Sequence, residues 1–236
     1  SCEAAQSLVN GIVGEFDNSV QSGCANIAQY LGSVTDRADA RFTCATNASS
    51  VVKNAANSSD PNVRRLEAEI IRDAALAVSG KLDLAMGGPG WQDFAIERPE
   101  HSPHYRYDLA DPNDPATFRR SIYRFIVRSQ MQPFMTALDC ADPSMRVDRR
   151  NESLSPVQAL ALLNNGFMIA QARHFAERVQ TERPTLAAQV AWAHELATGR
   201  SPTSTEAASL TTFAEVHGLA AVCRVILNLN EVMFVD

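Results

Sequence analysis

The chain has 236 residues, 45% of them hydrophobic and 20% charged, and its 21 Lys and Arg against 27 Asp and Glu give a formal net charge of −6 and a pI near 5.4. That composition supports an ordinary buried core and excludes collagen-like, low-complexity and disordered chains. The acidic balance speaks against nucleic acid as a partner, because neutralising phosphates needs clustered excess cation. No apolar run approaches the roughly 20 residues of a membrane span, and without a basic and apolar leader the chain reads as cytosolic or already processed.

Ala5, Leu8, Val9, Ile12, Val13, Phe16 and Val20 recur at three- and four-residue steps, the stripe of an amphipathic helix. Ser22 and Gly23 break it, and Cys24, Ile27, Ala28, Leu31 and Val34 restart it, so the N-terminus reads as a helical hairpin. From Ala45 to Asp60 the chain is rich in Ala, Asn and Ser and reads as a linker or a weakly packed helix. Asp60 and Pro61 suit the cap and first turn of a helix running to Ser79 and Gly80, with Leu66, Ile70, Ala74, Ala77 and Val78 inward and Arg65 and Glu69 as an exposed pair.

Leu82 to Thr117 is crowded with Gly, Pro, Asp and His and reads as a long irregular loop. Gly87, Gly88, Pro89 and Gly90 lack the Lys and Ser or Thr of a phosphate loop and read as a tight turn. Glu100, His101, His104 and Asp108 form the densest set of metal-ligand residue types, yet no third His or Cys lies nearby and no HExxH pattern occurs, so no metal or other cofactor is expected. The segment Arg119 to Arg128 fits a short strand or a buried helix, and a helix is expected.

Ser155, Pro156 and Gln158 spell the N-cap, first and third positions of a capping box. Four further helices follow, at about Phe167 to Thr181, Pro184 to Thr198, from Thr203 to Gly218 and Leu219 to about Asn228. Short Gly and Pro connections imply antiparallel neighbours. The fold class is therefore all-α, a helical bundle with a long irregular loop region and an N-terminal helical hairpin extension. Its core is expected from Leu66, Ile70, Leu160, Leu163, Phe175, Val190, Leu196, Phe213 and Leu227. His174, His194 and His217 are placed late in helices, where a cation complements the dipole.

Five cysteines, Cys2, Cys24, Cys44, Cys140 and Cys223, stand singly, which excludes zinc ribbons, thioredoxin-like motifs and covalent haem attachment. One disulfide among the first three and a fully reduced set both fit. The sequons at Asn47, Asn57 and Asn151 matter only in a eukaryotic secretory host. Asp139, Asp142, Arg149, Arg150, Asn151 and Glu152 gather just before the capped helix. Two carboxylates can share acid and base roles on a glycan, while an Arg pair at a helix N-terminus can hold a carboxylate or sulfate, or can simply pair with Asp139 and Asp142.

The runs RRLEAEIIRDAALAVSGKLDLAMGGPG, HSPHYRYDL, RRSIYRFIVRSQMQPFMTALDCADPS, RNESLSPVQALALLNN and HGLAAVCRVILNLNEVMFVD resemble one family, the uncharacterised C-terminal domain of large planctomycete and verrucomicrobial secreted proteins. In those proteins it usually follows a planctomycete-type cytochrome c domain and a second uncharacterised domain. The resemblance covers residues 61–236 and leaves residues 1–60 as a helical extension and linker. It implies a secreted or periplasmic protein from genomes rich in sulfatases and polysaccharide-degrading enzymes, with sister domains of a larger parent as partners. It brings no catalytic residues, but Arg149, Arg150, Asn151, Pro156, Gln158 and Asn164 are carried as a family motif; the haem-binding C-x-x-C-H is absent from this chain.

Two functions follow. The first is a non-catalytic binding or accessory domain linked to polysaccharide turnover, its first ligand an acidic or sulfated glycan held by Arg149, Arg150, Asn151, Gln158, Asp139, Asp142, His101 and His104. The second is a glycosidase or esterase acting through Asp139, Asp142 and the arginines.

Overall fold

The computed structural model describes residues 64–98, 101–146, 148, 150, 151, 153 and 155–235. The expected hairpin, linker and Asp60–Pro61 cap, with Cys2, Cys24, Cys44, Glu100, Arg149 and Glu152, lie outside them. The chain divides into two compact units, one of Ser1–Arg64, Leu154–Ala159 and Asp236, the other of Arg65–Ser153 and Leu160–Val235. In the first, the described part is the capping box: Ser155 N–H donates to Gln158 Oε1 at 3.2 Å and Gln158 N–H donates to Ser155 Oγ at 3.3 Å.

The second unit opens with helix α1, Ala68–Val78. Its buried residues are Ala68, Ile71, Arg72, Ala75 and Leu76, while Ile70 is 47% exposed. The stripe thus lies one position away from the expected one. The cause is the helix start: Glu67 has extended backbone and serves as N-cap, so Leu66 lies outside the helix and does not set its phase. The helix ends as expected, with Ser79 as C-cap and Gly80 at φ 74.

The irregular region contains one antiparallel hairpin, β1 (Ala95–Glu97) with β2 (His104–Arg106), in the register Ala95 to Arg106, Ile96 to Tyr105 and Glu97 to His104. Single 3-10 turns stand at Tyr107–Leu109, Pro115–Thr117 and Ser121–Tyr123. The helix expected over Arg119 to Arg128 is replaced by that last turn and extended backbone. Tyr123 O accepts from Trp91 N–H at 3.0 Å and Phe125 N–H donates to Trp91 O at 2.8 Å, so a neighbouring segment takes groups that a helix would pair internally. A short α2, Pro133–Ala137, follows, capped by the Gln132 side chain on Met135 N–H at 2.6 Å.

The remainder is the bundle: α3 (Pro156–Asn164), α4 (Gly166–Glu182), α5 (Leu186–Thr198), α6 (Ser204–His217), α7 (Leu219–Ile226) and α8 (Asn230–Met233). Asn165, Thr185 and Thr203 cap α4, α5 and α6, and Glu206 completes a second capping box at Thr203. Helix α4 packs on α1, α5 and α7. On α7 the buried Leu219, Val222, Cys223 and Ile226 fall at helical spacing and close the core around Phe175, Val179 and Val190, each fully buried.

Of the expected core, Phe175, Val190 and Leu227 are buried, Leu66, Leu196 and Phe213 pack half-buried against it, and Leu163 is half-buried. Ile70 and Leu160 face solvent, because Ile71 and Leu162 take the inward positions instead. His217 stands in the last turn of α6 as expected. His194 does not serve a helix terminus: it is buried, its Nδ1 lying 3.2 Å from Arg200 O and from Thr198 Oγ1. His174 sits mid-helix beside Glu177 at 3.3 Å.

Candidate functional site

The polar cluster before α3 is built around the N-terminal end of α1. Asp139 follows α2 in the left-handed region, at φ 58. Its carboxylate accepts from Arg65 Nη2 at 2.9 Å and from Ser153 N–H at 2.8 Å. Arg65, its side chain 6% exposed, also donates to Leu138 O at 3.1 Å and Ser153 O at 2.9 Å. One guanidinium therefore ties three separate stretches together, and the exposed Arg65–Glu69 pair expected from sequence does not form.

Arg150 Nη1 donates to Glu69 at 2.7 Å and lies 3.3 Å from Glu67. Its acidic partners are thus on α1 and not Asp139 or Asp142. Burial alone would raise the Glu69 carboxyl, but the hydrogen bond from Arg150 and its charge outweigh burial and hold it below its ordinary value. The Cys140 thiol lies 3.6 Å from Glu69, and burial with the Glu69 charge pushes it up to about 11. Among the described residues, Glu67, Glu69 and Asp139 stand around Arg65 and Arg150.

Asp142 stays in its own turn, accepting from Ser144 N–H at 2.8 Å and from Ser144 Oγ. Asn151 is exposed, and Gln158 is buried in the capping box. His101 and His104 are exposed, the first between the two strands of the hairpin and the second at the start of β2. Arg106 grips Asp108 with Nε at 2.9 Å and Nη2 at 2.7 Å and reaches Glu97 at 3.0 Å, so the carboxylate expected beside the histidines is held by the last residue of β2. Among the described residues no three His, Cys, Asp or Glu groups stand close enough to hold a metal ion.

The glycine-rich loop has the polarity opposite to a phosphate site. A phosphate loop aims N–H groups inward; here Ala85 O, Gly87 O and Pro89 O converge on Arg119, which lies 4.3 Å over the Tyr123 ring. Gly87 and Gly88 supply φ of 76 and 80 for the turn, and a Cβ on Gly90 would sit 2.9 Å from Tyr123 O. The loop encloses a cation already present in the chain.

Arg72 repeats the device in the interior. It is 5% exposed, donates to Thr117 O and to Arg119 O at 3.1 Å, and stacks 4.1 Å over Trp91 and 5.2 Å over Phe167. Beside it Asp73 takes the N–H of Ser121 at 2.9 Å and its hydroxyl at 2.7 Å. Sequence reading missed Arg72, Arg119 and Arg178 because it treats arginine as a surface residue. For Arg72 a signal existed: once Ala68, Ile71 and Ala75 are read as the inward stripe, Arg72 falls among them.

No curated protein and no solved structure matches the chain significantly. The family model described as "PSD1: Protein of unknown function (DUF1553)" matches residues 40–214, a span holding the arginine contacts at Asp139, Glu69, Thr117 and Pro89. Those 214 − 39 = 175 residues are about three quarters of the 236, and the chain belongs to this family.

Proposed function

We propose that this chain is a non-catalytic binding or accessory domain of an exported planctomycete-type protein concerned with polysaccharide turnover. The observation that carries the reading is the state of the two carboxylates offered for catalysis. Asp139 is held by Arg65 and Ser153, and Asp142 by Ser144, each within hydrogen-bond distance. A hydrolase needs two carboxyl groups facing each other across a substrate; these come from one short segment, each bonded to a backbone N–H within hydrogen-bond distance. The resemblance to domains of secreted proteins supplies the setting. Among the described residues, the carboxylates beside Arg65 and Arg150 weigh against the acidic or sulfated ligand first expected there.

The test is affinity electrophoresis of the purified chain through gels carrying neutral or sulfated polysaccharides, with reducing ends and released acetate assayed in parallel. Retardation without product is expected. Product formation abolished by Asp139→Asn would replace the reading with the hydrolase, and free migration in every gel would refute binding.

A further inference from the structure

An open groove of about 680 Å3 runs between the C-terminal end of α1 and the outer face of α4. That volume lies within the range of small-ligand sites, roughly 300 to 1,000 Å3. One wall presents His174, Glu177, Arg178, Thr181 and Glu182, spaced so that they share one side of α4 over about 12 Å of helix. The other wall carries Lys81, Leu82 and Leu84, the last 67% exposed.

The polar groups of the α4 wall are fixed before any ligand arrives. Arg178 Nη1 donates to Val78 O at 2.8 Å and Ala77 O at 3.2 Å, capping the carbonyls that α1 leaves open at its end. Its Nε donates to Glu182 Oε1 at 2.9 Å, and the other oxygen of Glu182 takes the Trp192 indole N–H. Thr181 Oγ donates to Arg178 O at 2.7 Å, and Glu177 Oε2 lies 3.3 Å from His174 Nδ1. Pre-set rotamers lower the ordering cost of binding.

The charges in this groove balance, Lys81 and Arg178 against Glu177 and Glu182. A ligand of either sign finds no excess of the other. A hydroxyl, which donates and accepts at once, can use a carboxylate and a neighbouring cation or hydroxyl together. The exposed methyls of Leu84 offer the opposite wall to a C–H face.

From this arrangement we infer that the groove between α1 and α4 is a binding site for an uncharged polyhydroxylated ligand, a neutral oligosaccharide. The inference rests on the binding-domain reading but not on Arg150.

The experiment is calorimetric titration of the full chain with cellohexaose, mannohexaose, xylohexaose and laminarihexaose, and with dextran sulfate as the charged probe. At least one neutral hexaose binds, and Thr181→Trp, which fills the groove from an exposed position, weakens it by about tenfold or more, or roughly 1.4 kcal/mol. Glu177→Ala weakens it in the same sense without adding bulk, and Arg150→Ala leaves it unchanged. Unaltered affinity in both groove variants would overturn the site while leaving the binding domain standing. Preference for dextran sulfate, lost in Arg150→Ala, would overturn the ligand class, and failure of every neutral hexaose would overturn the inference itself.

Discussion

Replacing Arg72 by methionine keeps most of the side-chain volume and removes the guanidinium. Two carbonyls, Thr117 O and Arg119 O, then lose the donor that Arg72 supplies, at about 1 to 3 kcal/mol each for buried acceptors. The stacking on Trp91 at 4.1 Å adds roughly 2 kcal/mol in a desolvated setting. Against this stands the cost of keeping the charge inside. Burial, only partly offset by Asp73 and Asp93, pulls the Arg72 pKa down to about 10 from an ordinary 12.5, a penalty of roughly 3 kcal/mol that disappears with the charge. The unsatisfied carbonyls prevail, and Arg72→Met is expected to destabilise by about 3 kcal/mol, which in a domain of this size lowers the melting temperature by roughly 6 to 12 °C. Thermal melts followed by far-ultraviolet dichroism measure the shift, and the near-ultraviolet indole band, read in a Trp192→Phe background, reports Trp91. A variant melting within 2 °C of the parent, with the Trp91 signal intact, would show that Arg72 does not hold the 117–121 segment, since about 0.6 kcal/mol would then suffice to describe it.

Glu206 is held well below the ordinary carboxylate range, first by the hydrogen bond from Arg200 and then by the Thr203 backbone. Its ionised form therefore contributes stability above about 4.5, the ordinary value, and that contribution is lost as pH falls further. Glu206→Gln should melt below the parent at pH 7, with the gap closing as the pH is lowered toward 2; a gap constant across that range would contradict the linkage. Burial pushes the Cys223 thiol up to about 12 and, with the Glu69 charge, Cys140 up to about 11. At pH 8 both should resist iodoacetamide in the native protein and react in 6 M guanidinium, with Glu69→Gln speeding Cys140 alone. Peptide mapping that finds Cys223 alkylated at the denatured rate would refute its burial.

The bundle was legible in the sequence because its signals are local. Ser155 with Gln158 and Thr203 with Glu206 announce helix starts within four residues, and Gly199 and Gly218 announce stops through their positive φ. The irregular half was not, because its order comes from pairs far apart in the chain. Nothing near Arg119 shows that its guanidinium belongs to Pro89 O, thirty residues upstream. The candidate site was half legible: sequence proximity gathered Asp139 and Arg150 into one cluster, but the partners, Arg65 for one and Glu69 for the other, lie more than seventy residues away on the approach to α1 and its first turn. The phase of α1 failed for the opposite reason, a local error of where the helix begins.

The arginine contacts to carbonyls also prescribe an order of assembly. Arg72 to Thr117 spans 45 residues, Arg119 to Gly87 spans 32, and Arg178 to Val78 spans 100, so that the third encloses the second. A nested closure is least costly when the enclosed tie forms first, since the stretch that the outer tie must span is then shortened and each halving of a loop spares about 0.6 kcal/mol of chain entropy. The interior peg at Arg72 has Trp91 on one side and Phe167 on the other, so it is complete only when both the segment after the glycine loop and α4 are in place. With little regular backbone of its own, the 85–124 region should exchange its amides with solvent through openings that leave α4, α5 and α7 intact.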